Sequence, residues 1–151
     1  MKDKKIIIGS DHGGFELKEK IIIYLTKKKY KIKDVGAFSK QRCDYPLIGF
    51  EVAQKVSNNR FKRGILICTS GIGQSIVANK LKNVRAALCH NKTIAYLSRR
   101  HNNANILVLG QKFTFFNKAK DIVVIWLKTE FEGGRHARRL KQIKNIEERK
   151  L

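Results

Sequence analysis

Apolar positions along the chain fall into short continuous runs separated by stripes at helical spacing. The run at 4–10, Lys-Lys-Ile-Ile-Ile-Gly-Ser, ends in small residues and predicts a buried strand. Residues 15–28 follow with Leu17, Ile21 and Leu25 on one helical face. Residues 31–35 alternate and predict a second strand, closed by Gly36. A polar loop at 37–46 carries Cys43-Asp44-Tyr45-Pro46. Proline suits a first helical turn, so 47–57 predicts a helix. Strands at 64–68, 84–88 and 105–110 are separated by a tight turn at 69–73 and helices at 74–81 and 93–100. Asn117 opens a helix with Ala119, Ile122, Val123, Trp126 and Leu127 on one stripe. After Gly133-Gly134 a last helix, 138–150, puts Leu140, Ile143 and Ile146 on a narrow apolar face, with cations nearly everywhere else.

Strands alternating with helices build βαβ units, which imply a parallel sheet with right-handed crossovers. The five strands are near-continuously apolar, as strands covered on both faces should be. The expected architecture is α/β: a doubly wound, five-stranded, three-layer sandwich in one domain, 1–151. Such folds bind ligands beyond the carboxyl ends of their strands, at the topological switch point. Three polar segments are expected to gather at that one edge: Ser10-Asp11-His12-Gly13-Gly14, Cys68 to Gly73, and Arg100-His101-Asn102-Asn103.

Charge adds a question. Thirty-three Lys and Arg face 12 Asp and Glu, a formal net charge of +21. Clustered cations would point to a phosphate polymer through counterion release. The basic residues are instead spread evenly over the chain, so a lysine-rich surface is the reading and nucleic acid is not expected as the partner. No segment approaches the ~20 apolar residues of a membrane span. The apolar run at the start stops after three isoleucines, too short for a signal core, and a cytoplasmic location is expected. Cys43, Cys68 and Cys89 are odd in number and form no C-x-x-C pair, which disfavours a disulfide framework. Cys89-His90 lacks partners at zinc-ligand spacing.

The turn at 69–73 is the most informative stretch. Glycines that run straight into a helix point backbone N–H groups at one spot and make an anion hole. The dinucleotide fingerprint fails because Ile76 stands where its third glycine belongs, and the P-loop pattern is absent. A smaller anion or a reaction-generated oxyanion fits better; a turn that merely joins strand to helix is the alternative. Cys68 precedes that helix, where the dipole favours a thiolate nucleophile or base; a buried structural cysteine is the plain alternative. His12 and His101 suit acid–base or phosphate roles, and Asp11 stands beside His12 at a strand end. Arg135 and Arg139 lie four apart, so their guanidinium forks can share a phosphate or simply form a solvated basic face.

Seven stretches in order carry a resemblance: Gly9-Ser-Asp-His-Gly-Gly-Phe15, Asp44-Tyr-Pro46, 64–73 with its Cys-Thr-Ser-Gly-Ile-Gly, Ala78-Asn-Lys80, Arg85-Ala86, Leu97-Ser-Arg-Arg-His-Asn102 and Glu132-Gly-Gly-Arg-His136. With them the chain resembles the ribose 5-phosphate and galactose 6-phosphate isomerase family, in its type B ribose-5-phosphate isomerase branch. The resemblance implies a Rossmann-like homodimer, or dimer of dimers, with shared active sites. It implies interconversion of D-ribose 5-phosphate and D-ribulose 5-phosphate through an enediolate, in the non-oxidative pentose phosphate pathway, without metal or cofactor. By matching position, Cys68 would be the base that moves the proton between C2 and C1. Ser70 and the backbone N–H groups of Gly71, Ile72, Gly73 and on to Ser75 would hold the enediolate oxygen, with Thr69 in the same turn. His101, with Asn102 beside it, would help open the furanose ring from the neighbouring subunit. Asp11 would contact the ring-oxygen or hydroxyl end of the sugar and Tyr45 would line the site. His12, Arg135 and Arg139 would grip the phosphate, joined by His136.

The family pattern is not matched everywhere. Lys112 stands where the family often has an arginine, and Thr69 where it often has glycine. Some relatives use a glutamate at the Ser75 position as base; this chain looks like the cysteine-base branch. A 6-phosphorylated hexose, allose or galactose 6-phosphate, is the alternative substrate, and His12 argues against the galactose branch. The last helix is expected to pack on the partner subunit.

Overall fold

Apolar runs too short for helices pair side by side as the centre of one sheet. In the computed structural model of the chain, which describes residues 3–150, β1 (Lys5–Ser10), β3 (Gly64–Cys68) and β5 (Ile106–Gly110) lie in the middle. β2 (Lys31–Asp34) and β4 (Ala86–Leu88) flank them in the order β2-β1-β3-β5-β4, and every pairing is parallel. β3 and β5 are buried at every position because helices cover both faces, whereas the edge strand β2 alternates between exposed and half-buried residues.

Alternation along the strands divides the core in two. Ile6, Ile8, Ile65, Ile67, Leu107 and Leu109 face one side, and meet α1 (Phe15–Lys27), α4 (Lys92–Arg100) and α5 (Phe116–Lys128). Ile7, Leu66, Ile106 and Val108 face the other, under α2 (Tyr45–Ser57) and α3 (Ile72–Ala78). The predicted α5 stripe holds in full: Ala119, Ile122, Val123, Trp126 and Leu127 are all buried. Pro46 sits in the first turn of α2, as its chemistry suggests. A single 3-10 turn, His12–Gly14, precedes α1 and was not foreseen.

α6 (Arg135–Glu147) begins before the expected 138 and packs little on its own chain. Its only buried residue is His136, while Ile143 and Ile146 are 48% and 57% exposed. The Glu147 carboxylate accepts the Asn83 backbone N–H at 2.9 and 3.0 Å, which ties the helix beside the start of β4.

One expectation is overturned. Residues 100–103 do not join the ends of β1 and β3. A helix that crosses between parallel strands runs antiparallel to them, so α4 starts at the carboxyl edge and finishes at the amino edge. The hydrogen bonds agree. Arg85, just ahead of β4, donates from Nε to the carbonyls of Asn102 and Asn103 at 3.1 Å, and Asn105 Oδ1 accepts the Arg85 N–H at 2.8 Å.

Candidate functional site

The chain steps from β1 outward to β2, then returns to the other side of β1 as β3. The crevice between the ends of β1 and β3 is therefore the switch point. The predicted turn fills it. Cys68 closes β3 with its side chain almost fully buried, and Sγ accepts the Gly71 N–H at 3.0 Å. Gly71 caps α3 with φ +84°, in the left-handed region that glycine adopts without a Cβ clash. That conformation turns its amide back onto the sulfur. Gly73 is needed for space, because a Cβ there would meet the Tyr45 ring within 3 Å. Tyr45 thus packs over the turn, as expected of a residue lining the site.

The turn's donors are divided among different tasks. The Ile72 N–H binds Ser70 Oγ at 3.2 Å and the Ser75 N–H binds the Gly71 carbonyl at 3.1 Å. The Ser75 hydroxyl donates to the Ile72 carbonyl at 2.8 Å. Of the five amides from Gly71 to Ser75, those of Gly73 and Gln74 have no protein acceptor among the described residues. Any oxyanion would meet these two, in the first turn of α3. Beside them Ser70, Ile72, Leu88, His90 and Phe113 line an open hollow of about 430 Å³.

Across the crevice, Asp11 caps the 3-10 turn, its Oδ1 accepting the Gly14 N–H at 3.1 Å. Burial pushes its carboxyl above the usual carboxylate range, against the opposing pull of His12 and of nearby amides. The native state therefore disfavours the Asp11 anion, and stability is lost as pH rises through the carboxylate range. Asp11→Asn keeps an acceptor for Gly14 and removes the buried charge. We expect a higher Tm than wild type at neutral pH, a gap that closes below the carboxylate range, and turnover lower by about tenfold or more; thermal melts across pH beside an activity assay check both. His12 Nδ1 lies 3.1 Å from the Cys43 carbonyl and 3.2 Å from the Cys43 N–H. Either tautomer spends Nδ1 on Cys43 and leaves Nε2 free to face a ligand. Thr69 Oγ1 packs directly against Gly13, so the two strand ends touch. The Thr69 carbonyl accepts the Lys112 N–H at 3.1 Å, which brings Lys112 to the same edge.

The remaining candidates assemble at the opposite edge. His101 follows α4 and stacks on His136 at the start of α6, with ring centroids 4.1 Å apart and planes 10° from parallel. His101 Nε2 lies 4.0 Å from Glu132 Oε2, which also accepts from Arg100 Nε at 3.0 Å. Burial, then the cationic neighbours His101, Arg135 and Arg139, hold His136 below the usual histidine range, against the pull of Glu132. The ligating atoms of His101, Glu132 and His136 lie within 4.8 Å of one another. Parallel rings, however, hold their lone pairs in parallel planes, and Arg100 already engages the carboxylate. The arrangement suits a stacked pair better than a metal centre. Arg135, Arg139 and Asn102 share this edge, with both arginines exposed. β3 alone separates the two edges by roughly 16 Å, its five residues rising ~3.3 Å each. One chain therefore holds two half-sets: Asp11, His12, Tyr45 and 68–75 at the carboxyl edge, and His101, Asn102, Arg135, His136 and Arg139 at the amino edge.

Cys89 and Cys43 are placed differently from Cys68. Cys89 is buried, its thiol pushed up to about 11 by desolvation. Cys43 contributes its backbone to His12. Glu132, the partner of both Arg100 and His101, was not singled out as a functional residue by sequence reasoning; only its place before Gly133-Gly134 could have drawn notice. Among the described residues no helix is long and apolar enough to cross a membrane.

A buried thiol facing a backbone amide, two unspent amides and a carboxylate across a switch point define a class: α/β proteins equipped to move a proton on a small anionic substrate. The chain belongs to the Ribose/Galactose Isomerase family, whose model matches residues 6–143. It is 42% identical to ribose-5-phosphate isomerase B of Escherichia coli over 147 residues, covering 97% of this chain and 99% of that protein. The structure of ribose-5-phosphate isomerase B from Clostridium thermocellum superposes with a TM-score of 0.95 at 48% identity, covering 96% of this chain and 98% of the other. The Mycoplasma genitalium enzyme, with ribulose 5-phosphate bound, gives 0.91 at 42% identity over 95% and 96% of the two chains.

Proposed function

We propose that the protein is a ribose-5-phosphate isomerase, interconverting D-ribose 5-phosphate and D-ribulose 5-phosphate. The observation that carries this reading is the Cys68 sulfur held against the Gly71 amide at the switch point, 3.0 Å away, with two further amides unspent. The Cys68 thiolate takes the proton from C2 of the open-chain aldose and returns it to C1, while the hydroxyl proton of O2 passes to O1. Negative charge builds on oxygen in between. The Gly73 and Gln74 amides, with the Ser70 hydroxyl, are placed to receive it; a lost donor of this kind typically raises the barrier by ~2.7–4 kcal/mol.

The other half-set completes the site only from a second chain. In this reading His101 of a neighbouring subunit opens the furanose ring, and Arg135 and Arg139 of that subunit join His12 on the phosphate. Asp11 holds the hydroxyl end. Binding at the far phosphate positions the reacting carbons. The unpartnered apolar face of α6 supports the same assembly. Deleting residues 140–151 should shift sedimentation from dimer toward monomer and lower activity with it; an unchanged sedimentation coefficient counts against this packing. The surplus charge takes on a modest task, steering a doubly anionic sugar phosphate inward at a rate that falls with added salt. A coupled isomerase assay on ribose 5-phosphate with EDTA present tests the function. Allose 6-phosphate and galactose 6-phosphate, run beside it, should turn over more slowly; a faster rate on either replaces the ribose assignment.

A further inference from the structure

Lys18 lies next to the apolar stripe of α1, yet its side chain is wholly buried. Nζ donates to Asp34 Oδ2 at 2.6 Å and to Glu19 Oε1 at 2.7 Å. It also sits 5.5 Å from the Phe15 ring centroid and 5.7 Å from that of Phe38. Burial strips the Lys18 ammonium of water while Asp34 and Glu19 keep 25% and 44% of their side-chain surface exposed, and such a half-buried pair rarely returns a net gain in stability over apolar packing. Its presence asks for another role, and its neighbours supply one.

The segment 36–44 between β2 and α2 has no regular secondary structure. It is fixed at four places instead. Asp34, paired with Lys18, accepts the Gly36 N–H on Oδ1 at 2.9 Å. The Gly36 carbonyl then accepts the Ser10 N–H at 2.6 Å, and the Ala37 N–H donates to the Ser10 carbonyl. Phe38 lies over the Lys18 ammonium, and Lys40 pairs with Glu16. Finally Cys43 meets His12 Nδ1 with its backbone. The segment is thus a strap. One end is anchored by the Lys18–Asp34 pair, and the other holds the His12 imidazole at the switch point.

We propose that Lys18 and Asp34 are positioning residues that, through this strap, fix the ring orientation of His12 for the substrate phosphate. The proposal rests on the reading of His12 as a phosphate ligand. Neither residue touches substrate, so the effect falls on binding of the phosphate end and far less on proton transfer.

The test is the double variant Lys18→Met/Asp34→Asn, which removes both charges together and leaves an oxygen for the Gly36 N–H. The Michaelis constant for ribose 5-phosphate and the inhibition constant of inorganic phosphate should both rise by about tenfold, with kcat within about twofold. The His12 ring signals should change from one narrow set in the native chain to broadened, averaged signals in the variant. A purely structural ion pair would lower Tm while leaving both constants and the His12 spectrum unchanged, and that result overturns the proposal. His12→Ala separates the two levels. If it leaves phosphate inhibition unaltered, the His12 reading fails. If it weakens inhibition while the double variant does not, the strap proposal alone fails. Should the double variant not fold, Asp34→Asn alone carries the same measurements.

Discussion

Cys68→Ala should lower turnover of ribose 5-phosphate by ~10²–10⁴-fold, the usual contribution of a positioned general base, while binding of the sugar phosphate stays within a few-fold. The reason lies in the division of labour. On the proposed reading, the phosphate ligands and the unspent amides of α3 survive the change, and only the group assigned to accept the C2 proton is gone. The missing sulfur also frees the Gly71 N–H that now faces Sγ at 3.0 Å. Gly71 keeps its left-handed conformation through the turn itself, so the fold should be retained and circular dichroism should be superimposable. Cys68→Ser is the sharper control: a hydroxyl fits the space but is a far weaker acid than a thiol, and should be nearly as inactive. Retention of wild-type turnover in either variant, measured by the coupled assay, would falsify the role of Cys68 as base.

The second large effect is a restoration. On the shared-site reading, Cys68→Ala and His101→Ala should each be inactive when purified alone. Mixed, unfolded and refolded together, they should regain roughly a quarter of wild-type activity, because half of the random pairs are mixed and each mixed pair has one intact site. The argument is the topology: α4 returns to the amino edge, and β3 stands between His101 and Cys68. No side chain spans that distance within one chain. If both residues served one intrachain site, mixing would restore nothing, and the shared-site reading would have to be abandoned.

The sequence made the central strands and the α5 stripe legible because burial on a sheet or helix face leaves a strict period. Ile6, Ile8, Leu17, Ile21, Leu25 and Trp126 all lie where that period places them. The turn before α3 was legible for a similar reason, since Gly71 and Gly73 each answer a local geometric demand. What the pattern could not carry was direction and pairing across the chain. The placement of Arg100 to Asn103 failed because proximity to a strand in sequence does not say which end of that strand is near. Nothing in the pattern marks Lys18, because a charge beside an apolar stripe normally faces solvent; only the approach of Asp34 from β2 makes its burial tolerable. The His101–His136 stack joins residues 35 positions apart, one just past α4 and one in the first turn of α6, and no spacing rule reaches that far.

The two half-sets at opposite edges bear on how the protein behaves when it is scarce. Specific activity on the proposed reading is a property of concentration as much as of the polypeptide. Diluted well below the dissociation constant of the pair, each chain keeps its fold, its thiol and its arginines and yet has no complete site, so the rate per chain falls in proportion to the protein present. A cell that makes little of it would lose catalysis faster than it loses protein.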